Sequence, residues 1–242
     1  MTPFGLVVPD LSVRRRQAEL MDDPALDQQR HERALRGLRR INRISLVAGR
    51  LWKEVAELAA GRDQEPLRLL DVGCGGGDVL VDVGVRARRA GVPVELHGCD
   101  MSQFALDVAT QAADQAGVTL RTHRRDVIRD GPPTGFDLVT ASLFLHHLDR
   151  PQGVQLLRGM AGAAAVGLLV QDLRRTALGY GLAWIGVHAL TRSEVVRVDG
   201  LRSVQAALTS EEARALCREA GLETATVTAA WPQRFVLSWR RP

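Results

Sequence analysis

The sequence predicts an α/β fold: a seven-stranded, mostly parallel sheet closing in a C-terminal antiparallel hairpin, with a helical N-terminal extension and a helical cap. Three observations lead there. Short apolar runs alternate with helical stretches between residues 67 and 173, two β-rich runs joined at a proline end the chain, and one long apolar segment interrupts the alternation. Strands separated by helices pair in parallel and are covered on both faces.

Residues 1 to about 30 are polar, with Pro3, Pro9 and Pro24, and read as an arm with short helical pieces. From His31 to Ala60 apolar residues recur at Leu35, Leu38, Ile41, Ile44, Ala48, Leu51, Val55 and Leu58, the spacing of one or two amphipathic helices. GRDQEP breaks that pattern. The strands follow as LRLLDVG, VELHGCD, TLRTHRRD, FDLVTASL and AVGLLVQDL, separated by the helices DVLVDVGVRARRAG, SQFALDVATQAADQAG and PQGVQLLRGMAG. Residues 173–208 are too long and too apolar for a plain loop and are expected to form capping helices. TSEEARALCREAG is a helix, with Glu212 completing a capping box if Thr209 is the N-cap. LETATVTAAWP and QRFVLSWRR form the hairpin. The chain thus divides into a helical lid at 1–62 and a main domain at 63–242 that carries the cap.

With 242 residues and 45% hydrophobic composition, the chain buries one core with appended helices. The net charge of +4 and pI near 9.6 invite a nucleic-acid partner. The arginines, however, fall as scattered pairs with one longer run at Arg14 to Arg16, and Lys53 is the only lysine, so they read as solvated faces and nucleic acid is not favoured. Cys74, Cys99 and Cys217 make no disulfide framework and no CxxC pair, as in a reducing compartment. The N-terminus has no apolar signal core, and MAGAAAVGLLV and ALGYGLAWIGVHAL fall short of the ~20 residues of a membrane span. A cytoplasmic location is expected.

The stretch LLDVGCGGGDVL, a buried strand, a glycine turn and a helix start, carries the chemistry. Glycines let a backbone approach a ligand closely. A dinucleotide turn reads GxGxxG, whereas here Gly73, Gly75 and Gly77 alternate and Asp71 and Asp78 flank them. Acids at a helix entrance repel a pyrophosphate and attract the ammonium and sulfonium of S-adenosylmethionine. Asp100, Asp126 and Asp137 also fall at strand ends or starts of successive βα units, placing four aspartates with Asp71 around one expected crevice.

From about Leu67 to Asp172, and in the hairpin, the chain resembles the class I S-adenosylmethionine-dependent methyltransferases, whose fold is Rossmann-like. DVGCGGG is similar to the family's first motif, putting Asp71, Gly73, Cys74, Gly75 and Gly77 at the donor. GCDMS is similar to the second, which implies Asp100 on the ribose hydroxyls and Met101 beside the adenine. RRDV is similar to the third, with Asp126 accepting from the adenine amino group and Val127 on the ring. FDLVTASLFLHHLD is similar to the fourth, which passes the methionine part near Ser142 and Leu143. Cys74 reads as a space-filler in preference to a nucleophile.

For the acceptor, a phenol of pKa near ~10 benefits from a neighbouring base. His146 and His147 follow the fourth strand and Asp172 ends the fifth. Adjacent residues leaving a strand diverge, so at most one histidine is expected at the acceptor, the alternative being that both brace the loop. Asp172 would face the acceptor or pair with Arg174 or Arg175. Tyr180 and Trp184, four apart in the cap with His188 and Arg192 nearby, would stack an aromatic acceptor or pack in the core. HERALRGLRRIN and SEVVRVDGLRSVQAALTSEE resemble flanks of bacterial methyltransferases encoded beside polyketide synthases, which implies O-methylation of a phenolic or polyketide-derived acceptor in secondary metabolism. In that reading the helices around Arg39 and Asn42 close over the donor, or serve as the arm of a homodimer. The acid and asparagine cluster of metal-dependent catechol methyltransferases is missing, so no metal is expected. The alternatives are a methyltransferase for RNA or protein and a non-catalytic donor-binding protein.

Overall fold

The computed structural model describes residues 8–22, 25–44, 46–62 and 65–242. After an arm with a 3-10 turn at Leu20–Asp22 come helices α1 (Gln28–Ile44) and α2 (Val47–Ala59), broken where Leu46 turns to φ 59. The sheet then begins with β1 (Leu67–Val72), α3 (Asp78–Ala90), β2 (Val94–Asp100), α4 (Gln103–Ala116) and β3 (Leu120–Arg124). It continues with β4 (Phe136–Ser142), a 3-10 turn at Leu145–His147, α5 (Arg150–Ala163) and β5 (Ala164–Leu173). Helices α6 (Ala177–Leu190), α7 (Glu194–Ala206) and α8 (Ser210–Glu219) precede the hairpin β6 (Thr226–Ala230) and β7 (Arg234–Arg240). Strand order is β3-β2-β1-β4-β5-β7-β6, with β7 alone antiparallel to β5 and to β6.

The expected strands and helices all form, within a few residues of their sequence limits, because local chemistry and burial agree. Ser102, Asp149 and Thr209 cap α4, α5 and α8, the last two with full capping boxes, and Gly91 and Gly117 end α3 and α4 in the left-handed region. Leu51, Val55, Leu80 and Leu106 bury one face of the sheet, while Leu156, Leu157, Met160 and Leu216 bury the other. Parallel strands covered on both sides become continuous apolar runs. A smaller cluster of Ala34, Val187, Val195 and Val196 joins α1, α6 and α7 above the carboxyl ends of the strands.

The arm corrects one expectation about charge. Arg14, in the run read as a solvated face, donates to the carbonyls of Ala206 (2.6 Å), His146 (3.0 Å) and Leu148 (2.8 Å). Arg175, itself buried, donates to Leu11 O (3.0 Å) and pairs with Glu212. These guanidiniums, with several donors each, satisfy carbonyls that the arm and the cap leave over. They staple residues 11–21 along α7. Among the described residues no helix is long and apolar enough to cross a membrane.

Candidate active site

A cavity of about 1660 Å³ lies over the carboxyl ends of β1, β2 and β4, roofed by α1, α6 and α7. That is where ligands bind open α/β sheets, and it exceeds the few hundred to a thousand Å³ of most ligand sites.

Its first end is built from the glycine turn. Gly73, Gly75 and Gly77 have φ of 66°, 51° and 70°. A Cβ on Gly73 would lie 2.6 Å from Phe144, whereas one on Gly75 would meet nothing within 4 Å, so the turn is tight behind and open in front. Gly77 does not line the cavity; a Cβ there would meet Ala109 at 2.7 Å, and its place is the seam between α3 and α4. Asp71, Cys74, Asp100, Met101, Asp126, Val127, Ser142 and Leu143 all line the cavity.

Asp100 accepts from Gly75 N and Ser102 N, both at 2.9 Å, and so ties the glycine turn to the end of β2. A carboxylate has about four lone-pair sites, which leaves capacity for two further hydroxyls. Asp126 holds its own turn with one oxygen, through Ile128 N and Arg129 N. Ser142 Oγ is buried with no protein partner. Leu143 sits at φ 58, a strained turn fixed by its N–H on Gln171 O (2.8 Å). Asp71 is 2% exposed and accepts from Thr140 Oγ1 at 2.8 Å. Burial, opposed by the Thr140 bond and helped by the charges of Asp78 and Asp100, lifts its carboxyl to about 7. Three carboxylates crowd this lip and favour a cationic ligand. The open glycine turn, the acidic lip and the partnerless serine fit S-adenosylmethionine and do not fit a pyrophosphate. Burial pushes the Cys74 thiol well above its ordinary value, which disfavours the thiolate a nucleophile needs.

Asp137 does not join this group. It is the second residue of β4, at the amino end of the sheet, in a bidentate pair with Arg62 at 2.6 and 2.8 Å. Three of the four aspartates converge, because only those at carboxyl ends of strands can.

The second end of the cavity is assembled from distant segments. The 3-10 turn after β4 brings His146 and His147 together, with ring centroids 4.3 Å apart, instead of letting them diverge as expected. His146 Nδ1 bonds Asp172 Oδ1 at 2.7 Å, and its Nε2 lies 3.6 Å from Glu19 Oε1. His147 Nε2 is 3.9 Å from Glu19 Oε2. Burial alone would lower the His146 pKa, yet the charges of Asp172 and Glu19 lift it to about 10. Asp172, 1% exposed and engaged by His146 N, His146 Nδ1 and Leu173 N, does not reach the cavity. It positions His146; Arg175, its alternative partner, pairs with Glu212 instead.

Glu19 was invisible to motif reading, since nothing local marks it. Ser203 Oγ donates to its Oε1 at 2.5 Å, and the N–H groups of Leu20 and Met21 bind Asp199 at 2.8 and 3.0 Å. The cap presents a different face from the one expected. Gly179, Leu182, Ala183, Gly186 and Leu190 line the cavity at helical spacing, while Tyr180 is buried elsewhere, Trp184 packs on His188, and His188 and Arg192 are exposed. α1 lines it through His31, Leu35 and Arg36; the side chains of Arg39 and Asn42 lie outside the described residues.

Comparison with known proteins agrees with this geometry. Residues 69–167 match the family model for a methyltransferase domain. The ubiquinone biosynthesis O-methyltransferase of Burkholderia vietnamiensis is 29% identical over 168 residues, covering 63% of this chain and 70% of that one. Among solved structures, the plantazolicin methyltransferase BpumL, bound to S-adenosylhomocysteine and a substrate analogue, superposes with a TM-score of 0.62 at 14% identity, covering 89% of this chain and 91% of that one. The methyltransferase SibL gives 0.59 at 24% identity over 91% of this chain, which spans only 60% of the SibL length. Residues 69–167 are thus a methyltransferase domain on the class I fold, and S-adenosylmethionine is the cofactor of that domain.

Proposed function

We propose that this methyltransferase transfers its methyl group to the hydroxyl of a small aromatic acceptor held between the cap and the histidine turn. The donor supplies an electrophilic methyl on a sulfonium. The glycine turn and Asp100 hold it at one end, with Asp126, Val127 and Met101 around its base and Ser142 and Leu143 along its chain. The N-terminal helices to residue 62 act as a lid over it, and the cap at 173–208 shapes the acceptor space. One observation carries the reading: the small and aliphatic residues Gly179, Leu182, Ala183, Gly186 and Leu190 of α6 make an apolar wall of the same cavity that the polar cluster Glu19, His146 and His147 lines. Such a wall suits a flat apolar molecule with one reactive hydroxyl.

Methyl transfer needs the acceptor aligned and water excluded, and it needs the hydroxyl's proton taken away. The apolar wall does the first. The second falls to the Glu19 and His147 side of the cluster, because His146 is buried with its Nδ1 held by Asp172, whereas His147 is partly exposed. The ubiquinone biosynthesis O-methyltransferases among the relatives support an aromatic acceptor. The test is incubation with donor and a panel of phenols and hydroxyquinones, read by mass spectrometry. Gain of one methyl on a hydroxyl is expected. Tight donor binding with a silent panel, or methylation of RNA or protein instead, would overturn the acceptor.

A further inference from the structure

The cluster that faces the acceptor carries an inference that rests on the reading above and deepens it. We propose that Glu19, His146 and His147 bind a divalent first-row cation of the zinc type, with a coordination position left open to the cavity. Among the described residues these three side chains form a group whose ligand atoms all lie within 4.8 Å of one another. A tetrahedral zinc with bonds of about 2.0–2.1 Å holds its ligands about 3.3 Å apart. Glu19 already stands 3.6 Å from one ring nitrogen and 3.9 Å from the other. These gaps are too long for hydrogen bonds and close to what an ion between the three would set.

The surroundings fix the ligands as a metal site requires. Asp172 occupies Nδ1 of His146 and turns Nε2 toward Glu19, the carboxylate, imidazole, metal order that sets tautomer and ring direction. Ser203 fixes Glu19 by donating to its Oε1 at 2.5 Å. The backbone around Glu19 is pinned by Leu20 and Met21 on Asp199 and by Arg202 on Ala18 O (2.7 Å). Two imidazoles and one carboxylate select zinc-like ions; magnesium and calcium demand six or more oxygens. With three protein ligands the site keeps an open position, where an ion would lower the pKa of an entering hydroxyl as a Lewis acid, so that Glu19 and His147 act on its proton through the ion and the proton leaves to solvent. The expectation of no metal rested on a missing acid and asparagine cluster, whereas this site joins the N-terminal arm to the turn after β4.

The test uses the full chain without a histidine tag, stripped by chelator and titrated with Zn²⁺ and with Co²⁺. One equivalent is expected, with cobalt visible absorption of a four- or five-coordinate nitrogen and oxygen site and no thiolate charge-transfer band. Glu19→Gln and His147→Ala should weaken binding by about 100-fold or more, and Asp172→Asn by about 10–100-fold. His123→Ala, which breaks the other close histidine pair (His97 Nδ1 to His123 Nε2, 2.9 Å), should change nothing. A thermal melt of each apo variant shows that it is folded before its affinity is read. No stoichiometric binding, or binding indifferent to Glu19 and His147, would overturn the site. Full phenol methylation by metal-free enzyme would remove the ion's role and leave the acceptor reading intact; stoichiometric, Glu19-dependent cobalt binding with a silent phenol panel would do the reverse.

Discussion

The two ends of the cavity are built on opposite principles. At the donor end the backbone approaches the ligand through a glycine turn, and the charge is supplied by carboxylates at the ends of β1 and β2, each one turn from its own helix. At the acceptor end three separate segments, the arm, the turn after β4 and the cap, meet side chain to side chain around Glu19. The first can be shaped by the sheet alone. The second exists only while the arm stays stapled to α7. Donor binding and acceptor chemistry are therefore separable by mutation.

The largest separation is expected at the acceptor end. His147→Ala or Glu19→Ala should cut turnover by about 10²–10⁴, the usual worth of a proton-handling group, while the calorimetric affinity for S-adenosylhomocysteine stays within about twofold. Gly73→Ala should do the reverse. Its φ of 66° and the 2.6 Å approach to Phe144 admit no methyl group without moving the turn, so donor affinity should fall by about 100-fold. If either variant damaged both functions equally, the two ends would be one coupled unit.

Asp71 sharpens the comparison through pH. An unfolded aspartate releases its proton near pH 4, and the folded chain holds this one to about 7. The folded state thus binds the extra proton between those values, so stability without donor falls as pH rises from 4 to 7 and is flat above. At about 1.4 kcal/mol per pH unit, the ionised carboxylate costs on the order of 4 kcal/mol at pH 8. Asp71→Asn should raise the melting temperature at pH 8 by several degrees and remove the slope. Because the charge attracts a cationic donor, the same variant should weaken donor binding about 10-fold, and wild-type affinity should improve as pH rises through 7. A variant that melted lower at pH 8 would show that the buried carboxyl is not the strained group.

The unequal legibility of the two ends has the same physical origin. The glycine turn, Asp100 and Asp126 are placed by elements next to them in sequence, so strand and helix periodicity suffices to locate them. Asp137 falls outside the group because it lies at the start of β4, at the amino end of the sheet, and a strand start and a strand end look alike in sequence. Asp172 and the histidines were found by type but not by role, since a 3-10 turn in place of a diverging loop decides which way the rings face. Glu19 was out of reach: its neighbours Ala18 and Leu20 form no motif, and its partners Ser203 and His146 lie far along the chain. For the same reason the aromatics of α6, Tyr180 and Trp184, do not mark its cavity face, which carries glycine, alanine and aliphatic residues.

That face gives the finest test of the comparison. Gly181 and Gly186 both lie inside α6, and a Cβ on either would meet nothing within 4 Å. Replacing either by alanine should stabilise the helix by about 0.5–1 kcal/mol, since glycine forfeits backbone entropy that alanine does not. In a chain of this size that is a rise of about 1–4 °C in melting temperature. Only Gly186 lines the cavity. Gly186→Ala should therefore also raise KM for a bulky acceptor, by about 10-fold or somewhat more for one intruding methyl, whereas Gly181→Ala should leave KM untouched and neither should alter donor affinity. Equal effects of the two on acceptor KM would mean that α6 contributes only its stability, and that the acceptor is shaped by the arm and α7 instead.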